Sequence, residues 1–364
     1  MTEPLGGALG APDAPSGPGA PSCPGAPSVP GAPGAAGSDR PRVLVLRALG
    51  LGDLLAAVPA LRGLRRAHPD AEIVLAAPAR LTDVATATGA VDRLLPTHAP
   101  GREVPATLDW TGPPPDVAVD LHGNGPLSHG LLRTVRPART LGWAHPDLPS
   151  HDGPAWQDDE HERARWCRLL RYYGIDADPD DVRLDVVPPP GPGPVLIHPG
   201  ADAGARRWPA ERFAAVARAL AAAGVPVLIT AGAGERELAA SVAAAAGLPI
   251  ETVVGGDADV PFPALARRVA GARAVVVGDT GIAHLATAVG TPSVVLFGPV
   301  SPALWGPPAD SRHRVLWRPD DPAVPRPGDA HGAEPDARLL RIGVGDVLTE
   351  LETLGVPTLA GAGR

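Results

Sequence analysis

A chain of 364 residues, 44% of them apolar, has enough material for two domains of ordinary size and a sizeable core. Its net charge of −8 excludes nonspecific nucleic-acid binding, which needs a basic face to neutralise phosphates. Two cysteines, Cys23 and Cys167, with no CxxC, exclude a disulfide framework and fit a reducing compartment.

Aromatic side chains make up only 3%, so the core is expected to rest on Ala, Val and Leu rather than on rings. Residues 1–40 are Ala, Pro, Gly and Ser with almost no large apolar side chain. They cannot bury enough surface to offset an ordering entropy of roughly 1–2 kcal/mol per residue, and a disordered tail is expected. No basic region followed by an apolar run opens the chain, so no signal peptide is expected. No bilayer-length stretch is free of charge, Pro and Gly, so no transmembrane helix is expected and the predicted location is the cytoplasm.

Residues 43–46, Val-Leu-Val-Leu, form a continuous apolar run, as in a parallel strand covered on both faces. A turn with Gly50 and Gly52 follows. Then Leu54, Leu55, Val58, Leu61 and Leu64 recur at helical spacing, ending in Arg65 and Arg66, which suit the helix dipole. Residues 73–75 are the next strand, completing a βαβ unit. The pattern returns at 195–197, with a loop from His198 to Trp208, Pro209 at a helix start, apolar positions Phe213, Val216 and Leu220, and a strand at 227–229. Two such openings imply two α/β domains with parallel sheets, 41–187 and 195–335. The Pro/Gly segment 188–194 between them is a stiff linker that can join neither sheet. Strands at 274–277 and 293–297 flank a helix beginning near Thr280. Asp158-Asp159-Glu160 reads as a charged helix start, and 318–335 as a loop. One amphipathic helix is predicted over 336–354, within a C-terminal segment 336–364 expected to pack back on the N-terminal domain.

Candidate chemistry gathers where ligands sit in open parallel sheets, beyond the carboxyl ends of strands. Asp279-Thr280-Gly281 opens a helix whose free N–H groups and partial positive charge suit a phosphate. Gly281 permits close approach, Thr280 adds a hydroxyl, and His284 lies one turn on. An ordinary N-cap with a surface histidine is the competing reading. Asp53, at the helix start after the first strand, is better placed as a base than as part of a dinucleotide fingerprint. The third glycine is missing and a carboxylate there repels phosphate; a plain capping aspartate is the alternative. Arg206 and Arg207 suit a diphosphate, against a solvated basic loop. His198-Pro199-Gly200 supplies a turn with backbone donors. Glu235, after Gly232-Ala233-Gly234, suits ribose hydroxyls, against a first-turn helix glutamate. No HExxH, GxSxG or Walker A motif occurs, and no metal and no other cofactor is expected.

Together these positions resemble glycosyltransferase family nine, the ADP-heptose:lipopolysaccharide heptosyltransferase family, over about residues 42–355. The most specific match is Asp279-Thr280-Gly281-Ile282-Ala283-His284-Leu285-Ala286-Thr287-Ala288-Val289-Gly290-Thr291-Pro292, followed by a strand and Phe297-Gly298-Pro299. Gly50-Leu51-Gly52-Asp53 through Leu61, and His198-Pro199-Gly200 with Arg206-Arg207-Trp208-Pro209, are the others. The resemblance implies a GT-B fold: two Rossmann-like α/β domains with parallel sheets facing across a cleft, acceptor domain first and donor domain second. It implies metal-independent, inverting transfer of a heptose from ADP-heptose to a hydroxyl of a glycan or glycolipid acceptor, peripheral at the inner membrane surface. Asp53 would be the general base and Arg206 would neutralise the leaving diphosphate. The donor would meet His198, Gly200, Arg207, Glu235, Asp279, Thr280, Gly281 and His284. Gly50, Gly52, His122 and Asn124 would lie on the acceptor side. Two positions depart from the family: Arg206 stands where a lysine is usual, and the Asp120–Ser128 stretch has no basic residue before Arg133, which removes a usual contact for phosphorylated acceptors. Two other readings stay open: a transferase of the same fold using another nucleotide sugar and a non-lipopolysaccharide acceptor, and a nucleotide-sugar-binding protein without transfer.

Overall fold

The computed structural model describes residues 40–358. The expected tail over 1–40 lies outside the described residues except for Arg40, as does Cys23.

Two parallel sheets form the framework. The first holds β1 (Arg42–Leu46), β2 (Glu72–Ala77), β3 (Arg93–Pro96), β4 (Val117–Asp120) and β5 (Arg139–Leu141), in the order β3-β2-β1-β4-β5. Helices α1 (Leu51–Ala67), α2 (Thr82–Ala87), α3 (Pro126–Thr134) and α4 (Glu162–Tyr172) belong to this half. The second sheet holds β6 (Val195–His198), β7 (Val227–Ala231), β8 (Val253–Gly255), β9 (Ala274–Gly278), β10 (Ser293–Phe297) and β11 (His313–Trp317), in the order β11-β10-β9-β6-β7-β8. Its helices are α5 (Ala210–Ala222), α6 (Arg236–Ala246), α7 (Phe262–Ala270), α8 (Gly281–Val289), the short α9 (Pro302–Trp305) and α10 (Ala337–Leu340), and α11 (Val344–Thr353).

The central strands are apolar on both faces because helices cover both: Val43 through Leu46 and Ala274 through Gly278 are all buried. Strand order reverses between β1 and β4, and again between β6 and β9. Each reversal opens a crevice at the carboxyl end of the strands. The turn after β1 carries Asp53, and the turn after β9 carries Asp279. The halves share one core, since α1 packs on α8 and a single buried cluster includes Leu54, Leu55 and Val58 with Ile282 and Ala283.

Four sequence expectations change. Helix α4 begins at Glu162, after Asp158–Glu160, because the His161 ring accepts the Arg163 N–H (3.1 Å) and caps it. The segment 336–354 is two helices, because Asp346 accepts the Gly343 N–H (2.8 Å) and starts α11 afresh. Those helices pack on the second sheet: Leu339, Ile342, Val347 and Leu351 are buried with Val216 and Leu220 of α5 and Leu316 of β11. The core also uses its few rings, since Trp143 and Trp166 are buried and meet Trp156 with centroids 5.3 and 6.1 Å away. Among the described residues no helix is long and apolar enough to cross a membrane.

Candidate functional site

The two crevices open into one cleft of about 690 Å³. Its floor is the seam between α1 and α8, where glycines face each other. A Cβ on Gly52 would lie 2.9 Å from His284 Cδ2 and 3.4 Å from Gly281 Cα; one on Gly281 would lie 3.1 Å from Leu51 Cβ. A side chain at either position would crowd the seam and require its neighbours to shift.

Asp53 stands at the third position of α1 and accepts the Gly50 N–H at 3.1 Å, so it caps the helix as well as facing the cleft. Arg102 donates to both carboxylate oxygens, at 3.0 and 2.7 Å, and Arg47 lies 3.8 Å away. Burial pushes the Asp53 pKa up, but the Arg47 charge, the hydrogen bonds and charge of Arg102 and the Gly50 N–H together hold it below the usual carboxylate value. Arg47 is itself buried; it donates to the Asp53 and Leu121 carbonyls and to Glu162 Oε1 (2.9 Å), and lies 4.8 Å over the Trp166 ring. It ties β1, the Asp53 turn and α4 into one rigid support.

In the second half, Thr280 is the N-cap of α8 by its backbone alone. Its side chain makes no capping bond, and Oγ1 is buried without a partner, which argues against the ordinary-cap reading. Arg206 donates to the Asp279 carbonyl at 3.1 Å, and its Nε is likewise buried and unpartnered. Burial pushes the Asp279 carboxyl up to about 6, against the pull of Arg206. An ionised Asp279 would repel an anion, so the groups at this turn with the chemistry to hold one are the Thr280 hydroxyl, the first N–H groups of α8 and Arg206. Burial drives His284 down to about 4, so it is neutral and lies edge-on to Trp305, with centroids 5.9 Å apart.

Further along, His198 is buried and held neutral by desolvation, with Nδ1 3.1 Å from the Thr230 carbonyl and Nε2 3.9 Å from Glu235. Glu235 accepts the Gly232 N–H at 2.8 Å and faces the cleft just before α6. Gly200 makes room for it, since a Cβ there would overlap the Glu235 carboxylate.

Most of the expected residues thus meet in one cleft: Gly50, Gly52, Asp53, His198, Arg206, Glu235, Asp279, Thr280, Gly281 and His284 all line it. Three do not. Arg207 is exposed and donates to the Ala201 carbonyl (2.9 Å), bracing its own loop. Asn124 is not a lining residue. His122 is not one either, but it feels the charges of Asp53 and Arg47, and its buried Nδ1 has no partner. Arg80, Arg102, Asp202, Trp305 and His331 line the cleft without having been expected. They lie in loops or short helices whose local sequence carries no motif. The first half brings two cations to the cleft, Arg80 and Arg102, from segments that the sequence leaves unmarked. Among the described residues no group of three or more His, Cys, Asp or Glu could hold a metal ion.

Two parallel α/β sheets meeting at one cleft, with the candidate residues on turns at the carboxyl ends of their strands, define a GT-B fold. Solved structures share it: the glycosyl transferase family 9 protein from Veillonella parvula (TM-score 0.68, 20% identity, 86% of this chain and 97% of that one) and the E. coli ADP-heptose lps heptosyltransferase II (0.67, 21%, 86% and 98%). Residues 168–326 match the model of glycosyltransferase family 9 (heptosyltransferase). Lipopolysaccharide heptosyltransferase 1 of Pseudomonas aeruginosa is 33% identical over 186 residues, 47% of this chain and 48% of that protein. Lipopolysaccharide heptosyltransferase 3 of Escherichia coli is 34% identical over 113 residues, 31% and 33% of the two chains. The matched stretch spans half or less of the length of these curated relatives.

Proposed function

We propose that the chain is a metal-independent, inverting glycosyltransferase that moves a heptose from an ADP-linked donor to a hydroxyl of a glycan or glycolipid acceptor. One observation carries this reading: a buried carboxylate, Asp53, and a set of unpartnered donors, Thr280 Oγ1 and Arg206 Nε, line the same cleft from opposite halves. In this account the donor diphosphate lies on the α8 N-terminus with Arg206, the ribose hydroxyls bond Glu235, and His198 and the neutral His284 line the donor pocket. The acceptor enters from the first half, past Gly50 and Gly52, where Arg80 offers a cation to a phosphorylated sugar. Residues 41–187 and 195–335 then act as acceptor and donor domains, closing about 188–194 and excluding water.

Asp53 takes the proton of the acceptor hydroxyl as its oxygen attacks the anomeric carbon from the face opposite the diphosphate. The bond from that carbon to the phosphate oxygen breaks, and ADP leaves with the electron pair. Arg206 and the α8 N–H groups stabilise the charge that grows on it. The names of the curated relatives support a lipopolysaccharide acceptor; action at the cytoplasmic face of the inner membrane is part of the same proposal.

Thermal shift with ADP, UDP and GDP tests the donor. A bound nucleotide stabilises by mass action, and ADP is expected to give the largest shift. A larger shift with UDP or GDP would move the reading to another donor, and no shift with any of them would overturn it.

A further inference from the structure

Arg102 occupies both oxygens of Asp53, which favours the ionised carboxylate and opposes its taking a proton. The two partners are held very differently. Asp53 is 5% exposed and fixed by the Gly50 N–H and by Arg47, which donates to its carbonyl. The Arg102 side chain is 42% exposed and ends a three-residue turn, Pro100–Arg102. Gly101 and Arg102 have φ of 59° and 69°, and Arg102 is one of two non-glycine residues at positive φ among the described residues. Such a conformation is strained and persists where surrounding contacts hold it. The contact here is the ion pair. Beyond Asp53, the Arg102 guanidinium also feels the charges of Asp202 and Asp279, both from the second half. It lines the same cleft as Thr280 and Gly281.

We propose that Arg102 is a donor-responsive gate on Asp53: in the empty cleft it clamps the carboxylate, and a nucleoside diphosphate at the Thr280–Gly281 turn draws it away and frees Asp53. This rests on the transferase reading above. A guanidinium fork prefers a diphosphate, which offers more charge and more acceptor oxygens than one carboxylate. Arg102 is then a positioning residue, acting through Asp53, and it imposes an order of binding, donor before acceptor. Its departure removes hydrogen bonds that favour the ionised carboxylate, so Asp53 becomes a better proton acceptor when the donor is present. The other charged or titratable groups near Asp53 are Arg47 at the end of β1, Glu162 on α4, His122 beyond β4, and Asp279 and His284 at the start of α8.

The test is ADP affinity by calorimetry on the full chain, for the wild type, Asp53→Asn, Arg102→Met and the double variant, each checked for folding by circular dichroism. Asp53→Asn releases Arg102 and is expected to bind ADP about tenfold tighter than wild type, and that gain is expected to vanish when Arg102 is Met. A gain of equal size in both backgrounds, as loss of one negative charge alone would give, overturns the gate, and so does no gain at all. If Arg102→Met does not fold, Arg102→Lys replaces it, keeping the charge without the fork, and is expected to lose at least half the gain; full retention overturns the gate. No ADP binding by the wild type would remove the transferase reading together with the gate, whereas ADP binding without coupling removes the gate alone.

Discussion

Gly52 and Gly281 face each other at the seam between the halves, so close that a Cβ on Gly52 would stand 3.4 Å from the Gly281 Cα and 2.9 Å from His284. The two glycines lie in the first turns of α1 and α8, and a side chain at either would crowd the contact between these helices. Gly52→Ala is therefore expected to cost about 1–3 kcal/mol in stability, the usual range for overpacking a close contact. Part of that strain is relieved by opening the cleft, so ADP affinity should fall as well. Chemical denaturation and calorimetry on the same variant check both; unchanged stability would show that the seam tolerates a methyl group.

Arg206 carries the charge expected to balance the diphosphate. Arg206→Ala is predicted to weaken ADP binding at least tenfold, from the loss of one charge-assisted contact worth about 1.5–3 kcal/mol. Arg206→Lys keeps the charge but loses the geometry of the bond to the Asp279 carbonyl, so an intermediate loss is expected. Calorimetric titration with ADP reads both. Equal affinity for wild type and Arg206→Ala would remove Arg206 from the donor site.

Asp279 gives a pH signature. Its carboxyl is raised from 3.8 to about 6 in the folded protein, so the folded state holds its proton more tightly than the unfolded state. The stability it contributes is complete below about 4 and is lost as pH rises through about 6. Asp279→Asn cannot titrate. Its melting temperature relative to wild type should rise between pH 4.5 and 7.5 and then level off; a difference independent of pH would contradict the shift.

Three histidines act with the opposite sign. Burial lowers His161, His284 and His313 from 6.5 to about 4 in the folded state. Their stabilising contribution is present above about 6.5 and is lost as pH falls toward 4, because unfolding takes up protons there. Replacing His161 with Gln should flatten the acid side of the stability profile. An unchanged acid slope would count against the burial of that ring.

Much of the framework was legible in the sequence. The runs at 43–46 and 195–197 had to be covered on both faces, and the glycine turns after β1 and at the start of α8 had to be tight. The turn residues Asp53 and Asp279 to Gly281 were visible because strand ends in such sheets face ligands. Arg102 was not, because it lies 49 positions along the chain from Asp53 and its place there depends on a left-handed turn that no motif announces. Arg207 misled because adjacent arginines look alike in sequence, while the turn at 204–206 sends one into the cleft and leaves the other outside. The break at Gly343 was hidden because apolar spacing continues across it, and only the Asp346 bond to the Gly343 N–H marks the new helix.

The central claim is that Asp53 activates an acceptor against a sugar held by ADP at the α8 N-terminus. Mass spectrometry of the purified protein incubated with ADP-heptose and lipopolysaccharide-core acceptors tests it most directly, with Asp53→Asn in parallel. The account predicts an acceptor heavier by one heptosyl unit, and a rate at least ~10²-fold lower in the variant, the least that general-base help contributes. Transfer at full rate by Asp53→Asn, or no transfer to any such acceptor by a wild-type protein that binds ADP-heptose, would contradict it.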